Sequence, residues 1–223
     1  YAYELAVIMQ DGMRRMYQNR ENVFYYITVM NENYAHPPMP KGVEEGIRKG
    51  LYLFKKGELP IVDLLGSGTI LREVLAAAEL LKNDFGIDSN VWSATSFNEL
   101  RKDGLDVQRY NMLHPDQENK LSHVEQCFLE SDRPVVAATD YMKAYADQIR
   151  PFIKNYYVVL GTDGYGRSDT REKLRKFFEV DRYYVALAVI YNLSESGKIP
   201  KEKVYEAIQK YKIDPEKTNP VFC

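Results

Sequence analysis

The sequence has few of the residues that build disulfide frameworks and metal centres. It contains two cysteines, Cys127 and Cys223, which lie too far apart for a disulfide framework and favour a reduced, cytoplasmic protein. Its three histidines, His36, His114 and His123, lack the surrounding cysteines or carboxylates of a zinc site, and surface or structural roles are expected. A net charge of −2 gives no basic field for nucleic acid. No apolar run approaches the roughly 20 residues of a membrane span, so neither nucleic acid nor a membrane is expected as a partner.

The remaining composition is that of an ordinary globular chain. With 223 residues, 45% of them apolar, it has room for one large domain or somewhat more. Leu5, Met9 and Met16 recur at helical spacing from the outset, with no start methionine or capping residue before them. We therefore expect Tyr1 to lie inside a longer polypeptide of which this chain is the C-terminal part. A processed N terminus is the alternative.

Residues 23–30, VFYYITVM, predict a buried strand after the opening helix, because they are rich in aromatic and β-branched side chains. Helix then strand is half of a βαβ unit whose first strand is missing, which favours a longer parent chain. The prolines at 37, 38 and 40 can continue neither a helix nor a sheet interior, and they indicate a stiff linker or domain crossing.

From residue 51 onward, strand patterns alternate with helix patterns. A short edge strand at 51–54 precedes strands at 61–65, 90–95, 134–139 and 156–160, each followed by a helix, at 69–83, 97–109, 140–149 and 171–178. Two closing helices are expected at 183–193 and 201–211, and residues 112–128 are read as a polar excursion. This alternation predicts a three-layer, doubly wound α/β domain with a mostly parallel sheet.

The turn Gly66-Ser67-Gly68, between a strand and a helix, invites a dinucleotide-binding interpretation. The G-x-G-x-x-G fingerprint is incomplete, because Leu71 stands where the third glycine belongs. No acidic residue ends a second strand at the spacing that holds a ribose. A tight turn with Ser67 or Thr69 capping the helix is favoured, and a Rossmann-like nucleotide binder stays open as the less favoured alternative.

The most distinctive stretch is residues 160–171, LGTDGYGRSDTR, which joins a strand to a helix. Its composition permits a phosphate-binding loop, a capped turn or a docking loop. Gly164 and Gly166 are expected to allow a sharp backbone path, and Asp169 to serve the N terminus of the next helix. The candidate residues of this loop are Asp163, Gly164, Gly166, Arg167, Ser168 and Asp169.

Several blocks, in order along the whole chain, resemble the C-terminal region of the homodimeric decarboxylating component of bacterial pyruvate dehydrogenase complexes. They are NENYAHPPMPKGVEEGIRKGLY (31–52), LLGSGTILREV (64–74), TSFNELRKDG (95–104), RYNMLHP (109–115), TDYMKAYADQIRPF (139–152) and VLGTDGYGRSDTREKLRKFFEVD (159–181). TDGYGRSDTRE with an upstream NENY is much narrower than the general transketolase pattern of Asp, aromatic, Gly and Ser.

The resemblance implies a thiamine-diphosphate-dependent homodimer of three α/β domains. It decarboxylates pyruvate and passes the acetyl group to the lipoyl arm of the dihydrolipoyl acetyltransferase component. Its first domain holds the diphosphate and Mg, and its second binds the aminopyrimidine. Residues 1–40 would be the end of that second domain, and residues 41–223 the transketolase-like C-terminal domain, which contributes dimerisation and the active-site entrance.

For this chain, the resemblance places no catalytic, cofactor-binding or metal residue at any numbered position. The segment alone should fold without activity, leaving apolar side chains around 23–30 exposed where the missing part of the second domain packs. The candidate loop becomes a structural or interface loop, in which Arg167 supports dimer or domain packing rather than cofactor binding. A non-catalytic α/β interaction or assembly domain remains the alternative.

Overall fold

The structure is a computed structural model that describes all 223 residues, and its centre is one five-stranded sheet. The strands are β1 (Leu51–Lys55), β2 (Val62–Gly66), β3 (Ser89–Ala94), β4 (Val135–Ala138) and β5 (Tyr157–Leu160), in the order β1-β3-β2-β4-β5. The edge strand β1 pairs antiparallel with β3, and the other three pairings are parallel. The expected mostly parallel α/β fold with a short edge strand is confirmed.

Nine α-helices accompany the sheet. They are α1 (Ala2–Met13), α2 (Glu44–Lys49), α3 (Leu71–Phe85), α4 (Phe97–Leu113), α5 (His123–Phe128), α6 (Lys143–Asp147), α7 (Arg171–Phe177), α8 (Arg182–Glu195) and α9 (Glu202–Lys210). A π-helical turn, Arg14–Gln18, extends α1, and 3-10 turns cover Gly68–Ile70, Arg150–Phe152 and Pro220–Phe222. None of these helices has the length and apolar character that a membrane crossing requires.

Two apolar cores lie on opposite faces of the sheet, which gives the three layers. One contains Leu64 and packs the sheet against α3 and α8. The other contains the neighbouring Leu65 together with Phe97 and Leu100 of α4. Adjacent residues of β2 enter different cores because successive strand side chains point to opposite faces. Every residue of β2, β3 and β4 is buried, because these central strands are covered on both faces.

The strand order reverses beside the central strand β2. From β2 the chain passes to β3 on one side, and it later returns through β4 on the other side. The carboxyl ends of β2 and β4 therefore flank a topological switch point, where open α/β sheets form their ligand crevice. The loop 160–171 follows β5, next to β4, so it lies at the same end of the sheet.

Residues 23–30 form no strand, and that expectation is wrong for this chain. Their backbone has no regular structure, and no backbone–backbone hydrogen bond involves residues 24–42. Phe24 and Tyr26 are each 88% exposed. The physical reason is that a strand needs a paired neighbour, and none lies beside this segment. The expected exposure of its apolar side chains is confirmed.

Two further elements differ from expectation. The helix expected at 140–149 is only the short α6, because a bend at residues 140–141 and the extended backbone of Met142 precede it. The polar excursion at 112–128 contains α5, which buries Val124 and Phe128. Its start carries a capping box, in which Ser122 accepts from the Glu125 amide and the Glu125 carboxylate accepts from the Ser122 amide.

Candidate functional site

The loop after β5 is attached to the loop after β4. The Thr162 amide donates to the Tyr141 carbonyl at 2.9 Å, and the Thr162 hydroxyl donates to the Asp140 carbonyl at 2.7 Å. Asp163 Oδ1 accepts the backbone amide of Lys143, the first residue of α6, at 2.9 Å. Asp163 therefore caps a neighbouring helix across the sheet end, and it joins the two loops into one surface.

Of the three glycines in the loop 160–171, two have no room for a side chain. A Cβ at Gly161 would stand 2.7 Å from the Tyr141 carbonyl oxygen. At Gly164 the φ of +109° lies in the left-handed region, and a Cβ there would stand 2.3 Å from the Pro220 carbonyl oxygen. The C-terminal segment thus packs directly on the loop. Gly166 has neither a positive φ nor an atom within 4 Å of an added Cβ, so the expected sharp path there is not found.

The remaining loop residues face solvent. The Arg167 guanidinium lies 4.5 Å from the centroid of the Phe177 ring, a cation–π arrangement on α7. Ser168 is exposed. Thr170, not Asp169, is the N-cap of α7, because its Oγ1 accepts the Lys173 amide. Asp169 instead accepts the Thr170 amide at 2.7 Å, one residue before the helix.

Exposed apolar side chains surround the same loop. Tyr165 in the loop is 82% exposed, and Phe222 in the adjoining C-terminal segment is 81% exposed. Met142, beside the Asp163 cap of α6, is also exposed. Uncovered apolar groups on segments that touch one another are typical of interaction surfaces. The arrangement can bind a protein surface, and it contains no group placed for catalysis.

The glycine turn after β2 does not fit a diphosphate. A Cβ at Gly66 would lie 2.6 Å from Leu71 Cα, so this glycine serves close packing of α3 on the strand. At Gly68 an added Cβ would face Asp140 Oδ1 at 3.7 Å, a carboxyl whose pKa is raised by burial. The expected capping by Ser67 or Thr69 is wrong, since neither side chain caps the following helix.

The chain likewise offers no set of residues for a metal ion. No three His, Cys, Asp or Glu side chains converge as ligands. His123 Nε2 lies 2.8 Å from the Leu51 carbonyl oxygen, so this ring nitrogen is engaged with the backbone. Burial raises the pKa of the neighbouring Cys127 thiol to about 11, so that the thiol stays protonated. A diphosphate and its Mg therefore have no matching residues here, and no step through them is assigned to this chain.

A glutamate–arginine cluster, absent from the sequence-based candidates, covers the switch point. Glu32 lies in a segment of residues 31–36, which we call the strap. Its Oε1 accepts a hydrogen bond from Arg72 on α3, and its Oε2 accepts one from Arg175 on α7, both at 2.6 Å. Arg171 Nε stands 3.6 Å from the same carboxylate. Burial acts to raise the pKa of Glu32, but hydrogen bonds and charge from Arg175 and Arg72 outweigh it and hold that pKa below its usual range.

A second carboxylate completes the cluster. Glu73 on α3 is buried and accepts from Arg182 Nε at 2.9 Å, from Arg182 Nη2 at 3.1 Å and from the Arg182 amide at 3.1 Å. Arg175 Nη1 lies 3.5 Å from Glu73 Oε1, the oxygen that also accepts from Arg182 Nη2. The cluster therefore joins α3, α7, α8 and the strap around the carboxyl end of β2. In sequence, its one visible signal is the NENY block that contains Glu32.

Two family models match this chain in separate segments. The model described as transketolase-like TK C-terminal domain matches residues 50–181. The model described as pyruvate dehydrogenase E1 component middle domain matches residues 1–37.

Curated relatives match the chain from end to end. It is 58% identical to the pyruvate dehydrogenase E1 component of Cupriavidus necator over 99% of this chain and 25% of that protein. It is 60% identical to the pyruvate dehydrogenase E1 component of Pseudomonas aeruginosa over 100% of this chain and 26% of that protein. It is 53% identical to the pyruvate dehydrogenase E1 component of Escherichia coli strain K12 over 99% of this chain and 25% of that protein. The chain thus spans about a quarter of the length of these relatives.

Among solved structures, similarity is distant. A Campylobacter jejuni transketolase aligns with a TM-score of 0.44 and 19% identity, covering 65% of this chain and 19% of that one. A Leishmania mexicana transketolase aligns with a TM-score of 0.44 and 18% identity, covering 79% of this chain and 20% of that one.

Proposed function

Because the chain belongs to the family of transketolase-like C-terminal domains, we propose that it is the C-terminal part of a pyruvate dehydrogenase decarboxylating component. The observation that carries the proposal is 58 to 60% identity, over essentially the whole chain, to proteins named pyruvate dehydrogenase E1 component. The complete polypeptide decarboxylates pyruvate with thiamine diphosphate. It then reductively acetylates the lipoyl group of the dihydrolipoyl acetyltransferase component.

Within that polypeptide, residues 1–40 are the end of the pyrimidine-binding domain and residues 41–223 are the C-terminal domain. The two family models, which match residues 1–37 and 50–181, support this division. The unpaired backbone and exposed side chains of residues 23–30 support it further, since an apolar extended segment is stable beside a pairing strand and costly in water. Strands of the preceding domain are the proposed neighbours.

Thiamine diphosphate and Mg are bound by regions outside this chain, and when bound the cofactor supplies the carbanion chemistry. This chain contributes a homodimer interface and the entrance to the active site. The loop of Asp163, Gly164, Gly166, Arg167, Ser168 and Asp169 is the proposed interface loop, supported by the exposed Tyr165 and Phe222 beside it. A cytoplasmic location is proposed from the two unpaired cysteines.

The test compares the complete polypeptide with residues 1–223 alone. The complete polypeptide should decarboxylate pyruvate when thiamine diphosphate and Mg are added, and residues 1–223 should fold and remain inactive. Mass spectrometry of the denatured natural protein gives the mass of its polypeptide. A natural polypeptide of about this chain's 25.9 kDa would contradict the proposal and favour the stand-alone assembly domain.

Arg167→Ala tests the interface role of the loop in the complete polypeptide. Loss of the guanidinium should weaken dimerisation about tenfold, or about 1.4 kcal/mol, and leave thiamine diphosphate affinity unchanged. Arg101→Ala, an exposed arginine on α4, is the matched control and should change neither quantity. A sharp fall in cofactor affinity with the dimer intact would refute the assignment.

A further inference from the structure

The strap is held in place by side chains alone. Because no backbone–backbone hydrogen bond involves residues 24–42, its position depends on what its side chains contact. Glu32 binds Arg72 and Arg175, and Asn31 accepts from Arg171. The Arg72 guanidinium also lies 4.6 Å from the centroid of the Tyr34 ring. Arginines that face Glu32 therefore take part in most of the strap's contacts with the domain.

These arginines are not neutralised without Glu32. The nearest other carboxylate, Glu73, is engaged by Arg182 through three hydrogen bonds and touches Arg175 only at 3.5 Å. The carboxyl of Asp140 has a pKa raised by burial. The Arg175 side chain is 14% exposed, so losing its anion leaves a largely desolvated positive charge. The cluster is built to hold an anion at the position of Glu32.

The geometry suits a carboxylate as a chemical group, whatever carries it. The two oxygens bind guanidiniums from different helices, and both bonds are short, as charge-assisted hydrogen bonds are. Arginine forks match carboxylates better than lysine ammonium groups do. A free carboxylate can make the same two bonds, because they involve only the carboxylate oxygens.

We propose that Arg72, Arg171 and Arg175 form a carboxylate-binding subsite at the switch point, with the Glu32 side chain as its resident ligand. A small free carboxylate binds the subsite when the Glu32 carboxylate is absent from it, so these two carboxylates exclude each other. A strap that lacks the Glu32 carboxylate can still dock over a bound free carboxylate, which neutralises the arginines in its place. The inference rests on contacts within this chain and does not depend on the proposed enzyme activity. In the wild-type protein the tethered Glu32 has an effective concentration in the millimolar range or above, and it outcompetes dilute carboxylates.

Chemical rescue tests the proposal in the complete polypeptide. Glu32→Ala empties the subsite, and formate is the probe that can refill it. The measurement is the rate of chymotrypsin cleavage after Tyr34, read by mass spectrometry, because strap amides without hydrogen bonds exchange too fast to report docking. Cleavage should accelerate about tenfold or more in Glu32→Ala, because two charge-assisted hydrogen bonds are lost and the strap opens before it is cleaved. Formate should slow it again, whereas chloride at equal ionic strength should not.

Two variants serve as matched controls. Glu32→Gln keeps the size of the side chain and loses its charge, so cleavage should accelerate but formate should not reverse it. This variant tests the role of charge even if Glu32→Ala fails to fold. Glu79→Ala removes an exposed carboxylate paired with Lys55, and it should respond to neither anion. Calorimetric titration with formate should show saturable binding to Glu32→Ala and none to Glu32→Gln.

Three results would overturn the proposal. Unchanged cleavage in both Glu32 variants would mean that this carboxylate does not hold the strap. Equal slowing by formate and chloride would reduce the effect to charge screening. Faster cleavage in Glu32→Ala, with no effect of formate and no formate binding, would mean that the arginines form no subsite.

Discussion

Asp63 offers the sharpest test of how the domain is held together. Its carboxylate is fully buried on the central strand β2 and accepts four hydrogen bonds. Oδ1 accepts from Asn90 Nδ2 and Trp92 Nε1, both at 2.9 Å. Oδ2 accepts from Ser131 Oγ at 3.1 Å and from Arg133 Nε at 2.8 Å. One charge therefore ties β2 to β3 and to the segment before β4.

Asp63→Asn keeps the shape of the side chain and removes this charge. The remaining amide oxygen can still serve Asn90 and Trp92, and the new amide nitrogen then faces Ser131 and Arg133. The Ser131 hydroxyl can rotate to accept, but the guanidinium can only donate. Because the Arg133 side chain is 26% exposed, it can turn to water, which limits the loss. We expect the free energy of unfolding to fall by about 2 to 4 kcal/mol.

Urea unfolding of residues 1–223, followed by fluorescence, measures this loss directly. Trp92 is the only tryptophan, and its indole donates to Asp63, so the reporter lies inside the network. Ser131→Ala, the control, removes one neutral donor and should cost about 1 kcal/mol. A loss for Asp63→Asn no larger than that of Ser131→Ala would refute the argument that the buried charge stabilises the sheet.

Two other positions test helix packing and the charge cluster. Gly104→Ala on α4 should lower the free energy of unfolding by about 1 to 2 kcal/mol despite alanine's better helix propensity, because the added Cβ would stand 2.4 Å from the buried ring of Phe152. Gly12→Ala on α1, with its nearest atom at 3.2 Å, should be close to neutral in the same urea assay, and the reverse order would contradict this account. For Glu73, burial acts to raise the pKa, but the Arg182 guanidinium outweighs burial and holds the pKa below its usual 4.5. The stabilisation that the Glu73 carboxylate gives to the fold is therefore present above pH 4.5 and is lost as the pH falls through the depressed pKa. The unfolding free energies of wild type and Glu73→Gln should differ fully at neutral pH and converge in acid, and a difference that persists in acid would show that charge is not its source.

The sheet was predictable from sequence because parallel strands are buried on both faces and leave mainly apolar runs. PVVAAT is such a run, IVDLL is one interrupted only by Asp63, and both contain strands. VFYYITVM gives the same local signal and forms no strand here, since strand formation depends on a neighbour that composition cannot report. Helix α5 escaped prediction because it buries only Val124 and Phe128, although its S-x-x-E start was visible.

The site was predictable only where its contacts are local. The left-handed turn at Gly164 and the exposure of the 160–171 loop follow from residues within that loop. The Glu32 cluster could not be found in this way. Its partners, Arg72 and Arg175, lie 40 and 143 positions away, and a glutamate between two asparagines carries no periodic or capping signal. Only the fold brings these charges together.

Tyr141 connects the exposed segment to the candidate loop. Its hydroxyl donates to Thr28 Oγ1 at 2.7 Å, and its carbonyl accepts the Thr162 amide at 2.9 Å. Asp163, the next residue, then binds the start of α6. A strand that pairs with residues 23–30 would fix Thr28, and through Tyr141 it would also fix the start of the loop. Docking of the preceding domain and ordering of the interface loop are therefore expected to be coupled through this one side chain.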